Sequence, residues 1–488
     1  MFFPSVFILV KISNWLGFSS RENVFVLLLC SIYFYANWNY NYLALLLFSI
    51  FVNYSIAILL LKSECQVKRR KMLRIGILTN LLLLGYFKYA GFLSDNLSLL
   101  LPAEYSFEVS VILPLAISFF TLQQITFLVE QAKNPKPVNL YEYSLFVTFF
   151  PQLLAGPIVY YKELVPQFQT QRFCSFHKND IRIGIAIFSI GLFKKAVIAD
   201  ELLTIATPAL VLVSDGQMIS TIDAWVCSFL LGFRTYFDVS AYADMAIGIS
   251  LFFGVRLPLN FNSPYKATSF IDFWKKWHIT LTRFLIDYIF RITYRQVNKI
   301  IGRSQVVGYL VMLVTLLISG MWHGAAWTFA VWGLYHGILL IANYVWRRRI
   351  AAKFPRLSSS IMYLYLSRAF VTTAIILSLP LFYFDSLEFA FNFYKSLAIS
   401  GQSVSHVAHA YSLTFVLVLV VFSSWADNSQ SISGYQVQVS KVPTSTTYRL
   451  KDSDSRYNNN YFVIFIAITL SLGLMSISKP TPFIYFQF

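Results

Sequence analysis

Residues 306–319, VVGYLVMLVTLLIS, run without a charge into Gly320-Met321-Trp322-His323-Gly324, and residues 325–345 carry the apolar run on to Arg347-Arg348-Arg349. Uncharged runs of this kind approach the roughly 20 residues a spanning helix needs, so they read as membrane segments. A histidine within one stands out, because ionisable groups at membrane depth are costly and are functional candidates by default. Imidazole can stay neutral there, and its ordinary pKa near 6.5 suits proton transfer. His323 is therefore the first candidate for handling a proton. His278 is the second. It lies 45 positions earlier in Asp272-Phe273-Trp274-Lys275-Lys276-Trp277-His278, in equally Trp-rich company. Trp274, Trp277 and Trp322 are then candidates for the wall of one cavity.

Working outward, the whole chain has the same character. Its 488 residues are 57% hydrophobic and 12% charged, against about 45–50% and about 25% in soluble chains. No run alternates with period two, so an all-α polytopic membrane protein is expected, with about 11 transmembrane helices plus re-entrant and amphipathic interfacial pieces. The net charge of +17 collects in short loops such as Lys68-Arg69-Arg70-Lys71, the positive-inside pattern, and anionic membrane lipids are its natural counter-charge. No basic stretch is a free soluble domain, so nucleic acid is not an expected partner. Cys30, Cys65, Cys174 and Cys227 form no C-x-x-C pair, so neither a disulfide framework nor a metal site is expected. The start, Met1-Phe2-Phe3-Pro4, lacks the basic residues of a signal peptide, and the first apolar segment is expected to be retained.

The chain is read as one integral membrane domain, 1–488, with N-terminal helices over 1–140, a catalytic core over 141–345 and C-terminal helices over 346–488. Residues 109–129 are expected to form one span kinked at Pro114. Pro151, Gly156 and Pro157 forbid a regular helix through residues 149–158. That apolar stretch is expected to be re-entrant or pocket-lining, with a loop lying on the bilayer as the alternative. Gln152 lies within it. Lys194-Lys195 is expected to split two apolar segments. Residues 223–254 carry Arg234, Asp238, Tyr242 and Asp244. Asp238 and Tyr242 share a helix face, and buried acids are usually paired or functional. Arg234, four residues earlier, can simply neutralise Asp238. Between residues 266 and 303, eight basic residues interleave with aromatics, the composition of amphipathic helices at a cytoplasmic interface. His323, Trp327 and Ala330 are expected to share one face of the helix that runs on to residue 345, with His336 about 140° away from His323. A polar loop is expected over 427–460.

The sequence lacks a G-x-S-x-G elbow and a glycine-rich phosphate loop. Ser175-Phe176-His177-Lys178 has S-x-x-K spacing without a companion motif. Two histidines alone make no metal site. Base catalysis remains: a neutral histidine takes a proton from an acceptor hydroxyl, which attacks an activated acyl thioester. The bland alternative for His323 is a packed core residue bonded to a backbone carbonyl.

Several ordered motifs closely resemble the membrane-bound O-acyltransferase (MBOAT) family. They are Phe149-Phe150-Pro151-Gln152-Leu153-Leu154-Ala155-Gly156-Pro157-Ile158, Asp238-Val239-Ser240-Ala241-Tyr242-Ala243-Asp244, Asn260-Phe261-Asn262-Ser263-Pro264-Tyr265, Phe273-Trp274-Lys275-Lys276-Trp277-His278 and Gly320-Met321-Trp322-His323-Gly324. The nearest branch is that of the alginate O-acetylation proteins (AlgI-like), with the D-alanyl transfer proteins of teichoic acid synthesis as cousins. The resemblance runs from about residue 24 to residue 395, and the tail after about residue 401 carries no match. It implies a multi-pass protein of the bacterial inner membrane that moves an acyl group, most simply acetyl, from a cytoplasmic thioester toward an exported polysaccharide. It also implies that His323 and His278 are the catalytic pair, and that Gln152, Asn262, Asp238, Tyr242 and Asp244 support the cavity. It implies acetyl-CoA as donor, no bound cofactor, and a periplasmic acetyltransferase partner. Transfer of D-alanine from a carrier protein stays open, as does a non-catalytic transporter or scaffold. Ile286 stands where the branch carries arginine, and the glycines that usually follow are missing from residues 286–294.

Overall fold

The computed structural model describes residues 2–100, 109, 111–354, 360–401, 406–435, 459–477 and 483–484. Most of the polar stretch expected as a loop, residues 436–458, lies outside the described residues. The described chain is built from helices, with no strand among them. They are α1 (Phe2–Trp15), α2 (Ser20–Trp38), α3 (Tyr40–Lys62), α4 (Gln66–Leu84), α5 (Ala90–Ser98), α6 (Ile117–Lys133), α7 (Leu140–Thr148), α8 (Phe150–Leu153), α9 (Tyr161–Phe168), α10 (Lys178–Phe193), α11 (Asp200–Ser214), α12 (Thr221–Phe252), α13 (Phe270–Trp274), α14 (Ile279–Phe284), α15 (Arg291–Ile301), α16 (Gln305–His323) and α17 (Trp327–Trp346). α18 (Ile361–Ser378), α19 (Leu387–Ser396), α20 (His406–Trp425), α21 (Ser429–Ile432) and α22 (Asn460–Ser476) follow.

Among the described residues, six helical stretches are long and apolar enough to cross a membrane: Tyr40–Lys62, Gln66–Ser98, Lys178–Ser214, Gln305–His323, Trp327–Ala351 and Ile361–Tyr383. Three shorter apolar helices accompany them. The 32-residue α12 is not among the six, because Asp223, Arg234, Asp238 and Asp244 lower its hydropathy. The figure of about eleven spans thus exceeds what length and hydropathy alone mark out.

The chain divides into two compact units. The first comprises residues 1–189, 243–258 and 433–464. Its helices are joined by buried polar side chains. Asn53 of α3 and Asn80 of α4 exchange amide hydrogen bonds at 3.2 and 2.7 Å. Gln124 of α6 donates to Ser49 Oγ at 2.9 Å and accepts from Tyr143 OH at 3.0 Å. Between membrane helices such pairs hold packing together where the hydrophobic effect does not. The expected span over 109–129 is corrected here. Residues 111–114 are not helical, Ala116 is left-handed at φ 62°, and α6 starts only at Ile117. A residue forced into that conformation ends a helix rather than kinking it. The proline-rich stretch forms the single turn α8 and then non-helical backbone over 156–160, and nearly all of it is buried. Irregular backbone wrapped in protein is the form a membrane protein tolerates, and a loop lying on the bilayer is excluded.

The second unit comprises residues 190–242, 259–432 and 465–488. Its centre is the antiparallel pair α16 and α17, which lie unusually close. A Cβ on Gly320 would stand 2.1 Å from Phe329 O, and one on Gly333 2.4 Å from Leu316 O. Both obstacles are backbone, so the helices themselves would have to part. Gly320→Ala is expected to lower stability by about 1–3 kcal/mol, read as a lower melting temperature of the detergent-solubilised protein. An unchanged melt would mean the two helices are not so tightly apposed. The expected break at Lys194-Lys195 is also corrected. α10 continues through a π-helical turn, Lys194–Ala199, into α11. Both lysines stay inside because each finds a partner: Ser429 for Lys194 at 3.2 Å, and Asp200 and Asp238 for Lys195 at 2.8 and 2.9 Å.

Candidate active site

His323 is the last residue of α16, and Gly324 leaves the helix in an extended conformation. Trp327 therefore begins a different helix, and the expectation that His323, Trp327 and Ala330 share a helix face is overturned. The geometry that does arise is more specific. The α16–α17 turn lays the His323 ring against Trp332 of α17 at 5.4 Å between centroids, with Phe382 at 5.2 Å. Trp332 also packs on His336 at 4.3 Å, so that indole stands between the two histidines. His336 Nε2 is bonded to Ser378 Oγ at 2.9 Å. The Ser378 hydroxyl spends its one proton on Ile375 O, so His336 is the donor of that bond. His336 is a structural histidine.

His278 is brought to the same place by a different device. Its backbone is left-handed, φ 42° and ψ 52°, immediately before α14. Non-glycine residues rarely adopt this region, and such strain persists only where the surroundings impose it. The segment before it supplies the imposition. Asn262 N donates to Lys276 O at 2.9 Å, and Ile279 N donates to Asn260 O at 2.8 Å. Thr280 donates to Asn260 Oδ1 through its N at 3.3 Å and its Oγ1 at 2.9 Å. The turn is thus clamped on both sides of His278. The imidazoles of His278 and His323 lie 6.3 Å apart, with Trp322 in contact with both at 6.2 and 5.0 Å. Both histidines are buried. His278 lies outside the candidate spans, and burial pushes its imidazole down to about 3, so it is neutral at physiological pH. Asparagine tolerates the left-handed region and β-branched residues do not, at about 1–2 kcal/mol. His278→Asn is therefore expected to melt close to the wild type and His278→Val clearly below it. Equal melts would place no strain at this position.

The cavity beside His323 is lined by Thr235, Val239, Trp277, Trp332, Leu379, Phe382 and Ile484, and has only about 10 Å³ of free volume. That is room for about one water. Trp277 lines this cavity, whereas Trp322 touches both histidine rings without lining it. Trp274 stands one layer back, against Trp332 and His336 at 6.1 and 5.4 Å. Asn262 is exposed, so it supports the site through its backbone and not from the cavity wall; the buried Asn260 is the structurally central residue of that motif.

Asp238 does not face the cavity as a free acid. It is fully buried, with Arg234 Nη2 at 3.6 Å and Lys195 Nζ at 2.9 Å, and its Oδ2 accepts from Ile484 N at 2.9 Å. Neutralisation by Arg234 is thus part of its role, and anchoring the residue that closes the cavity is the rest. Tyr242, on the same face, packs on Phe483 at 5.2 Å. Gln152 and Asp244 are buried in the first unit, where Gln152 Nε2 donates to Phe146 O at 3.1 Å. Residues missed from sequence include Asn260, Val239, Trp332, Phe382, Phe483 and Ile484. Of these, Asn260 and Val239 lay in motifs that pointed to the region.

The model of MBOAT, the membrane-bound O-acyltransferase family, matches residues 65–387. A peptidoglycan O-acetyltransferase of Helicobacter pylori is 35% identical over 95% of this chain and 91% of its own. A probable alginate O-acetylase AlgI of Azotobacter vinelandii is 34% identical over 72% of this chain and 70% of its own. A teichoic acid D-alanyltransferase of Streptococcus thermophilus is 25% identical over 48% of this chain and 58% of its own.

Proposed function

Since the chain belongs to the membrane-bound O-acyltransferase family and is a multi-pass membrane acyltransferase, we propose that it works in the bacterial inner membrane, taking acetyl from cytoplasmic acetyl-CoA for O-acetylation of a cell-envelope polysaccharide. The observation that carries this reading is the meeting of His278 and His323, 45 positions apart in sequence, with their rings at 6.3 Å and His323 lining a small apolar cavity. His323 acts as general base. It takes the proton of the acceptor hydroxyl as that oxygen attacks the thioester carbonyl carbon; the C–S bond breaks, and the thiolate leaves and is protonated. Neutral His278 orients the donor or passes the proton on.

The aromatic wall has a chemical use. A thioester in a wet site hydrolyses, whereas a pocket that holds about one water protects it. The donor can enter only as Trp277, Phe382 or Ile484 gives way, so the closed form guards the histidine between turnovers. A periplasmic acetyltransferase partner completes delivery to the sugar.

The breadth of the similarities bears on the acceptor. The alginate-type relative matches 72% of this chain, while the peptidoglycan O-acetyltransferase matches 95% and so extends into the tail after residue 401. This supports a peptidoglycan-type glycan ahead of an alginate-type one. The test is ester-bound acetate released by mild alkali from separated peptidoglycan and exopolysaccharide, in a deletion strain with and without the wild-type gene. Acetate restored in the peptidoglycan fraction is the expected result. Acetate only in exopolysaccharide would move the acceptor, ester-linked D-alanine would move the acyl group, and no ester in any fraction would overturn the reading.

A further inference from the structure

The second unit contains a larger cavity that the histidine chemistry does not use. Its volume is about 330 Å³, within the roughly 300–1,000 Å³ of small-molecule pockets. Tyr236 forms part of its wall, and on the other side Tyr236 rests against Trp277 at 6.2 Å, so the two cavities are separate. The outer wall comes from Phe422 of α20 and from Phe465, Ile468 and Leu472 of α22. These four side chains are also 43–54% exposed. On apolar helices in a bilayer, such side chains meet hydrocarbon and not water, so the cavity opens toward lipid.

One end is polar. Lys194 is buried, donates to Ser429 Oγ at 3.2 Å and holds its ammonium 5.6 Å from the Tyr236 ring centroid. At the same end Asp427 accepts from Lys266 Nζ at 3.1 Å. Lys266 and Asp427 offset each other's charge. An apolar slot open to the membrane and ending at a buried lysine and a serine hydroxyl has the form of an amphiphile with an anionic head: the chain lies in the slot and the head meets the ammonium.

We propose that this cavity holds one anionic phospholipid, its acyl chain against Phe422, Phe465, Ile468 and Leu472 and its phosphate at Lys194 and Ser429. The site is independent of the acyl-transfer reading, because it is read by lipid mass and not by acetate.

The test is native mass spectrometry of the full-length protein, purified in mild detergent and offered phosphatidylglycerol or phosphatidylethanolamine with the same chains. One phosphatidylglycerol adduct is expected, favoured over phosphatidylethanolamine by roughly fivefold for one lysine contact. Ile468→Trp and Leu472→Trp fill the slot from half-exposed positions and are expected to remove the adduct. Lys194→Gln is expected to abolish the preference between the two lipids while chain binding persists. Should that buried substitution fail to fold, the two tryptophan variants decide. Equal binding of both lipids to the wild type, or adducts retained in both tryptophan variants, would overturn the proposal. Displacement of the adduct by excess soluble glycerol phosphate would also overturn it, marking a phosphate site and not a lipid site.

Discussion

His323→Gln is expected to lower acetyl transfer by roughly 10²–10⁴-fold, the usual contribution of a positioned general base, with the amount of protein in the membrane unchanged. Glutamine fills most of the space against Trp332 and Phe382 and keeps a hydrogen-bonding end, so the pocket is not emptied as it would be by alanine. What it cannot do is accept and return a proton near neutral pH. The comparison to make is labelled acetate transferred from acetyl-CoA by membranes carrying equal amounts of each protein. His323→Ala confounds this, because removing a large buried ring leaves a cavity that itself costs stability. His336→Gln is the internal control. His336 is bonded to Ser378 and screened from His323 by Trp332, so its replacement is expected to change the melt more than the chemistry.

Asp238→Ala carries the second large effect, and it acts on the fold. The carboxylate is fully buried between Arg234 and Lys195 and also receives Ile484 N–H. Removing one partner of a buried pair strands the others, at about 3–5 kcal/mol, a large share of the roughly 5–15 kcal/mol that hold a domain together. Lys195 still has Asp200 at 2.8 Å, and Arg234 still donates to Tyr383 OH at 3.1 Å, so the loss falls within that range and does not exceed it. Low membrane abundance and a lowered melt are expected, with acetyl transfer lost in proportion. Asp238→Asn keeps an acceptor for Ile484 N–H and is expected to be milder. An Asp238→Ala protein that melts like the wild type would show that the cluster contributes little.

Much of this was legible in the sequence because membrane spans and functional polar groups contrast sharply. A histidine after an uncharged run and a tryptophan-rich second histidine pointed to two residues that the fold brings together. Their distance was not legible. It depends on a left-handed residue at 278 held by Asn260, and on a helix that stops at His323 so that α17 can fold back. Reading His323 on the same helix face as Trp327 misplaced Trp327, since the helix ends at His323. Lys194 and Lys195 looked like a loop, since nothing local shows that Ser429 and Asp238, distant in sequence, would receive them. Trp332 and Phe382 are ordinary apolar residues of apolar runs, and only the packing makes them walls of the cavity beside His323. Ile484 was invisible for the same reason, because its part is played by a backbone N–H bonded to Asp238.

The central proposal is that the two histidines form one catalytic unit, and the most direct measurement is a double-substitution cycle on acetyl transfer. Membranes bearing His278→Asn, His323→Gln and both together are compared at equal protein. Residues acting in one step are strongly non-additive, so the double variant is expected to be no slower than His323→Gln alone. Losses that multiply, or full activity in His323→Gln, would contradict a single site built from this pair.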